Sequence, residues 1–164
     1  MSERRRARRH WLFKSEPDVY AYDDLERDGR TSWEGVRNHQ ARNLLRDEVK
    51  EGDGVLFYHS SAKPMAIAGV AVVVGEARPD PTQFDRKSKY HDPKSDPAAP
   101  TWFLVDIAPV ARFEEPLTRD ALKDDRELAD MMLLRRGSRL SIQPVTKEEW
   151  TRILALGGVR ERKG

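Results

Sequence analysis

Two short stretches of this 164-residue chain place side chains that could do chemistry next to structure-breaking residues. The first is Trp33-Glu34-Gly35-Val36-Arg37-Asn38-His39-Gln40-Ala41-Arg42-Asn43, a tryptophan beside a glycine-broken polar turn. Tryptophan carries a large apolar area that gains from leaving water. Amides and guanidiniums follow it, however, and the apolar anchors Leu44 and Leu45 come only later. Such groups suit base edges and phosphates better than a core. Two readings stand: a core tryptophan followed by a polar surface helix, or an aromatic wall for a flat ligand with amide donors beside it. The second stretch is Lys14-Ser15-Glu16, held extended by Pro17. Its donor, donor/acceptor and acceptor match the edge of a nucleobase, and equally a strand end whose Lys and Glu face water.

A third stretch, Arg139-Leu140-Ser141-Ile142-Gln143-Pro144, alternates polar and apolar residues. Strand geometry would put Arg139, Ser141 and Gln143 on one face, either in solvent or lining a pocket. Catalytic signatures are missing. The four histidines, His10, His39, His59 and His91, are far apart, and the chain has no cysteine. Neither a metal site nor any cofactor is therefore expected. No phosphate loop, dinucleotide fingerprint or nucleophile elbow occurs. Asp23-Asp24 and Asp124-Asp125 read as helix-start charges. His59 and Ser60, as strand neighbours, point to opposite faces and cannot form an activated pair.

The elements that must position these groups form an α+β pattern. His10–Lys14 predicts a first strand, Tyr22–Asp28 a short helix closed by Gly29, and Asn38–Lys50 a helix with Asn38 as N-cap. Val55–His59 and Ala66–Glu76 read as strands, with a bulge or close backbone approach at Gly69. Arg78–Pro100 carries five prolines and reads as one long functional or mobile loop. Trp102–Phe113 returns to strand, Thr118–Leu134 holds one or two short helices, and Leu140–Pro144 is a last strand. Thr146 and Glu149 form a capping box for a final helix with Ile153, Leu154 and Leu156 as its apolar stripe. Strands separated by short helices without regular alternation predict a small mixed barrel with peripheral helices.

Charge is concentrated at the ends. Arg4, Arg5, Arg6, Arg8 and Arg9 begin the chain, and Arg160, Arg162 and Lys163 end it. Without residues 1–9 and 160–164 the body holds 22 basic and 26 acidic residues, although the whole chain is +2. Attraction to a polyanion must come from the tails or from a local patch. The first nine residues are expected to be a disordered basic arm and 159–164 a basic tail. The start lacks the apolar run of a signal peptide, and the longest apolar stretch, Met65 to Gly75, falls far below a membrane span. The expectation is a soluble, cytoplasmic protein, or a nuclear one in a eukaryote, with no membrane partner; a homodimer stays open.

Five motifs taken together resemble the EVE domain. They are His10-Trp11-Leu12-Phe13-Lys14-Ser15-Glu16-Pro17, Trp33 to Asn38 with Gln40 to Asn43, Val55 to Ser60, Pro93-Lys94-Ser95, and Arg139 to Val145. The resemblance spans about His10 to Leu156, in family order, within a domain placed at 10–158. It implies a PUA-like fold, a strongly bent mixed β-barrel with short helices at its rim, related to the YTH readers of N6-methyladenosine. It also implies recognition of a modified base, notably a modified cytosine, in DNA or RNA, with the base flipped into a pocket.

By that resemblance Lys14, Ser15 and Glu16 form the pocket edge, and Trp33 the wall on which the base stacks. Asn38, Ser60, Arg139, Ser141 and Gln143 belong to matching motifs and are carried over as ligand-binding. Arg37 and Arg42 are assigned to the nucleic-acid backbone. Two positions depart from the common family form: His39 replaces a tyrosine, and Ser61 an asparagine. Phe84 and Tyr90 are the candidates for a second aromatic opposite Trp33. The expected function is non-enzymatic reading of a modified nucleobase. The alternative is an ASCH-like hydrolase of modified nucleosides, with Lys14 and Glu16 as its acid–base pair.

Overall fold

The computed structural model describes residues 7–137 and 139–161. Arg4, Arg5, Arg6, Arg162 and Lys163, on which much of the charge argument rests, lie outside them.

Among the described residues six strands form one mixed sheet. They are β1 (His10–Ser15), β2 (Thr31–Ser32), β3 (Gly54–His59), β4 (Ala66–Pro79), β5 (Phe103–Thr118) and β6 (Ile142–Val145), in the order β2-β5-β4-β3-β1-β6. Of these strand pairs β1 and β3 run parallel and the other four antiparallel. The helices are α1 (Tyr22–Asp28), α2 (His39–Asn43), α3 (Arg119–Lys123) and α4 (Lys147–Gly157). This is an α+β, PUA-like fold.

Alternation along β1 explains how the sheet carries a core on both faces. Trp11 and Phe13 join a cluster with Trp33, Val36, Leu45 and Phe57, whereas Leu12 joins Leu56, Tyr58, Val145, Trp150 and Ile153 on the other side. Every β1 residue from His10 to Phe13 is consequently buried. The same geometry places Ser15 on the Trp33 side and Lys14, paired with Tyr58, on the Leu12 side.

β4 and β5 outrun their predicted ends, reaching Pro79 and Thr118. The two strands pair through three register shifts, and such bulges bend a sheet and add twist. One shift lies between Ile67 and Gly69, where a side chain at 69 would meet Ala111 O at 2.7 Å. The predicted loop therefore begins at Asp80, not at Arg78. The predicted helix from Asn38 is α2 followed by a wider π-type turn over Leu44–Glu48. Asn38 caps it, accepting from Ala41 N at 2.9 Å. The final helix keeps its capping box: Thr146 Oγ1 accepts from Glu149 N, and Glu149 Oε1 accepts from Thr146 N. Leu156, placed in its apolar stripe, is 40% exposed.

Of the basic start, Arg8 and Arg9 are held against the fold. Arg8 donates to Gly52 O and Glu161 and lies over the Trp150 ring; Arg9 pairs with Glu48 over Trp11. Among the described residues no helix is long and apolar enough to cross a membrane, and no group of three or more His, Asp or Glu side chains is placed to hold a metal.

Candidate nucleic-acid interface

A cleft of about 560 Å³ opens where the end of β1 meets the segment after β2. That volume lies within the roughly 300–1,000 Å³ of small-ligand sites. Among its walls are Lys14, Ser15, Glu16, Trp33, Arg37 and Ser141, so six of the sequence-predicted residues converge there.

Trp33 belongs to the core and also borders the cleft. Its ring packs on Phe13 (centroids 5.3 Å apart) and edge-to-face on Phe57 (5.4 Å), and it is 8% exposed. It also forms part of the cleft wall. Its backbone N–H donates to Val105 O at 2.8 Å, fixing the ring's height above the sheet. The polar run after it is not uninterrupted either, because Val36 and Ala41 are buried anchors.

The segment that carries Trp33 is tied down by a buried carboxylate the sequence did not single out. Asp80 has no solvent exposure. Its oxygens accept from Gly35 N (2.8 Å), Arg37 Nη1 (3.1 Å), Thr82 N (2.8 Å) and Thr82 Oγ1 (2.6 Å). Burial pushes this carboxyl up, but the donated hydrogen bonds from Gly35, Thr82 and Arg37 outweigh it and hold the net value below the usual carboxylate range. Next to it, burial and the Asp80 charge push the Glu34 carboxyl upward, against Arg37.

Tyr90 supplies a second aromatic surface. It lines the cleft and packs over Gly35, whose φ of 85° suits glycine; a side chain there would lie 2.5 Å from the ring. Phe84, the other candidate, closes a short 3₁₀ turn instead. Arg37 fastens the Tyr90 segment, donating to Tyr90 O from Nε at 3.1 Å and Nη2 at 2.8 Å.

Behind that wall, Gln83 stitches the proline-rich loop together. It donates to Asp80 O and Trp102 O, and accepts from Ser95 Oγ and Trp102 N. Ser95 closes the Pro93-Lys94-Ser95 motif, which thus reads as loop architecture.

The edge residues divide by strand alternation. Ser15 Oγ donates to Tyr20 O at 2.6 Å, drawing the turn after β1 into the cleft rim. Lys14 lines the cleft from the strand end, and burial, with the Arg119 charge, pushes its ammonium pKa down. Glu16 is exposed beyond the strand, and its carbonyl accepts from Val19 N and Tyr20 N. Lys14 and Glu16 both line the cleft, Lys14 from within β1 and Glu16 from just beyond its end.

Four of the residues carried over as ligand-binding lie outside the cleft lining, as does Arg42. Asn38 caps α2, and Ser60 N extends the parallel pairing by donating to Ser15 O at 2.9 Å. Arg139 is exposed before β6. Gln143, 1% exposed, pairs across from Leu12 and donates to Leu140 O. It points into the second core because β6, like β1, is covered on both faces.

The two guanidiniums assigned to the nucleic-acid backbone are engaged by the protein. Arg37 bonds Val36 O, Asp80, Thr82 and Tyr90 O. Arg42 donates to Thr101 O at 2.5 Å and to Asn43. His39, one of the departures, packs against Trp102 in a tilted arrangement, ring centroids 4.8 Å apart.

A model of the EVE domain matches residues 9–156. Human thymocyte nuclear protein 1 is 39% identical over 166 residues, covering 90% of this chain and 73% of that protein. A crystal structure of a Pseudomonas syringae protein superposes with a TM-score of 0.86 at 47% identity, covering 90% of this chain and 99% of that one. A third, human THYN1 protein in complex with 5-methylcytosine containing DNA, superposes with a TM-score of 0.85 at 38% identity, covering 93% and 99% respectively.

Proposed function

The chain belongs to the EVE domain family, and on that premise we propose that it reads a modified nucleobase of the methylated-cytosine class in DNA, taken out of its stack into the Trp33–Tyr90 cleft. The observation that carries this reading is the cleft itself: two aromatic surfaces, Trp33 and Tyr90, in one small-ligand-sized cavity with polar groups at its rim. The DNA bound to the human THYN1 protein supports the choice of base.

Energetics favour an aromatic, shaped site. Extruding a base costs a few kcal/mol. Stacking on an aromatic side chain contributes about 1–3 kcal/mol per base, so two rings can offset extrusion. A buried methyl adds about 0.8 kcal/mol, roughly a fourfold preference. Larger discrimination requires the walls to fit the methyl closely, and the Asp80 bonds to Gly35 and Arg37 support such a reading by fixing the segment that carries Trp33. The acidic body limits indiscriminate binding, leaving selection to the cleft.

The test is a titration with a duplex carrying one 5-methylcytosine and with its unmodified counterpart, each followed by mass spectrometry of the DNA. A base reader should bind the methylated duplex more tightly and leave the DNA unaltered. Equal affinities would refute base reading, and release of a base or an altered nucleoside would replace the reader with an enzyme.

A further inference from the structure

Arg37, although it lines the cleft, spends its N–H groups on Val36 O, Asp80, Thr82 and Tyr90 O, and Arg42 is tied to Thr101 O and Asn43, so the phosphates beside the cleft call for further partners. The edge strand β2 offers them. Asp106, 5% exposed, sits across from Ser32 on β5. Its Oδ2 accepts from Arg30 Nε (3.2 Å) and Nη2 (2.9 Å). Its Oδ1 accepts from Ser32 Oγ (2.8 Å) and Arg78 Nη1 (2.8 Å), while Arg78 Nη2 donates to Ser32 Oγ at 2.8 Å.

Ser32 belongs both to this cluster and to the cleft lining, so Arg78 stands one hydrogen bond from the cleft wall. One buried carboxylate thus orients two guanidiniums whose side chains stay 60% and 48% exposed. The three charges sum to +1, on a body that is otherwise acidic. Each guanidinium has five N–H groups in a rigid fork, more than Asp106 and Ser32 engage, and that fork matches phosphate oxygens.

We propose that Arg30 and Arg78, held in place by Asp106, clamp the phosphodiester backbone of the strand whose base enters the cleft. The proposal rests on the base-reading function above. It assigns the positioning contacts to the residue before β2 and to β4, and base preference to the cleft. A purely structural ion cluster, tying β2 to the sheet, would use the same bonds and leave DNA affinity insensitive to it.

The two roles separate by salt dependence. Wild type, R30Q/R78Q and R30K/R78K are titrated between about 50 and 200 mM salt with duplexes carrying one 5-methylcytosine or none, alongside a thermal melt of each protein. Removing one phosphate-binding cation flattens the slope of log K against log[salt] by about 0.7–0.9, so the Gln pair should flatten it by about 1.4–1.8. The methylated-to-unmodified affinity ratio should stay unchanged, and the Lys pair should keep the wild-type slope.

An unchanged slope in folded R30Q/R78Q overturns the clamp, as does equal flattening by the Lys pair. The single variants R30Q and R78Q carry the same test at half the amplitude if the double variant does not fold. Equal wild-type affinity for both duplexes would refute base reading instead, with the slopes on either duplex still deciding the clamp.

Discussion

Replacing Gly35 with alanine tests whether the cleft wall depends on the close seating of Tyr90. Gly35 has φ of 85°, and an added Cβ would stand 2.5, 2.6 and 2.8 Å from three carbons of the Tyr90 ring. The left-handed conformation alone costs an L-residue about 1–2 kcal/mol. Pushing the ring aside adds about 1–3 kcal/mol, the usual cost of overpacking. Gly29 provides the control, since its φ is 73° but an added Cβ there meets nothing within 4 Å. Gly29→Ala should therefore show the first cost only. In urea unfolding the two variants should differ by about 1–3 kcal/mol, at equal m-values. Displacing Tyr90 also removes one stacking surface, worth about 1–3 kcal/mol, so Gly35→Ala should weaken methylated-duplex binding roughly five- to 150-fold. Gly29→Ala should bind as wild type does. Equal destabilisation of both variants with undiminished binding by Gly35→Ala would refute the reasoning.

Trp33→Ala removes a ring packed on Phe13 and Phe57 and should cost about 3–5 kcal/mol of stability. Trp33→Phe should keep more of that stability yet lose most of the methyl preference; an unchanged preference, measured by fluorescence anisotropy, would make Trp33 a core residue only. Asp80→Asn leaves Arg37 without its buried partner and should cost about 3–5 kcal/mol at pH 7. The Asp80 carboxyl is held below the ordinary value of about 3.9, so its contribution is complete above that pH and is lost as pH falls through the lower folded value. The stability gap between wild type and Asp80→Asn, followed by urea unfolding at several pH values, should be flat above about pH 5 and shrink below about pH 4; a gap that widens in acid would contradict this.

The elements with strong local chemistry were legible in the sequence. The capping box at Thr146, the Asn38 cap and the Gly29 stop each depend on contacts within one helical turn. The extra lengths of β4 and β5 were not, because they rest on bulged cross-strand pairing, and Pro79 and Pro116 read locally as breaks. Periodicity placed Gln143 on a polar face, but a strand covered on both sides has no solvent face to offer. Asp80 and Gln83 sit in a proline-rich polar loop without periodicity, and only the tertiary fold shows them buried. Motif likeness names Trp33 and the β1 edge, yet it does not tell how each arginine is engaged: Arg37 donates five bonds to the protein, while Arg30 and Arg78, held by Asp106, carry no motif at all.

The most direct measurement is an isotope-filtered nuclear Overhauser experiment on the complex with a duplex carrying a single 5-methylcytosine. Base reading in the cleft predicts contacts from the base methyl to the Trp33 indole and the Tyr90 ring, together with disappearance of the cytosine's stacking contacts to its neighbours in the duplex. A methylcytosine that stays stacked in the helix, with its methyl contacting neither ring, would contradict it.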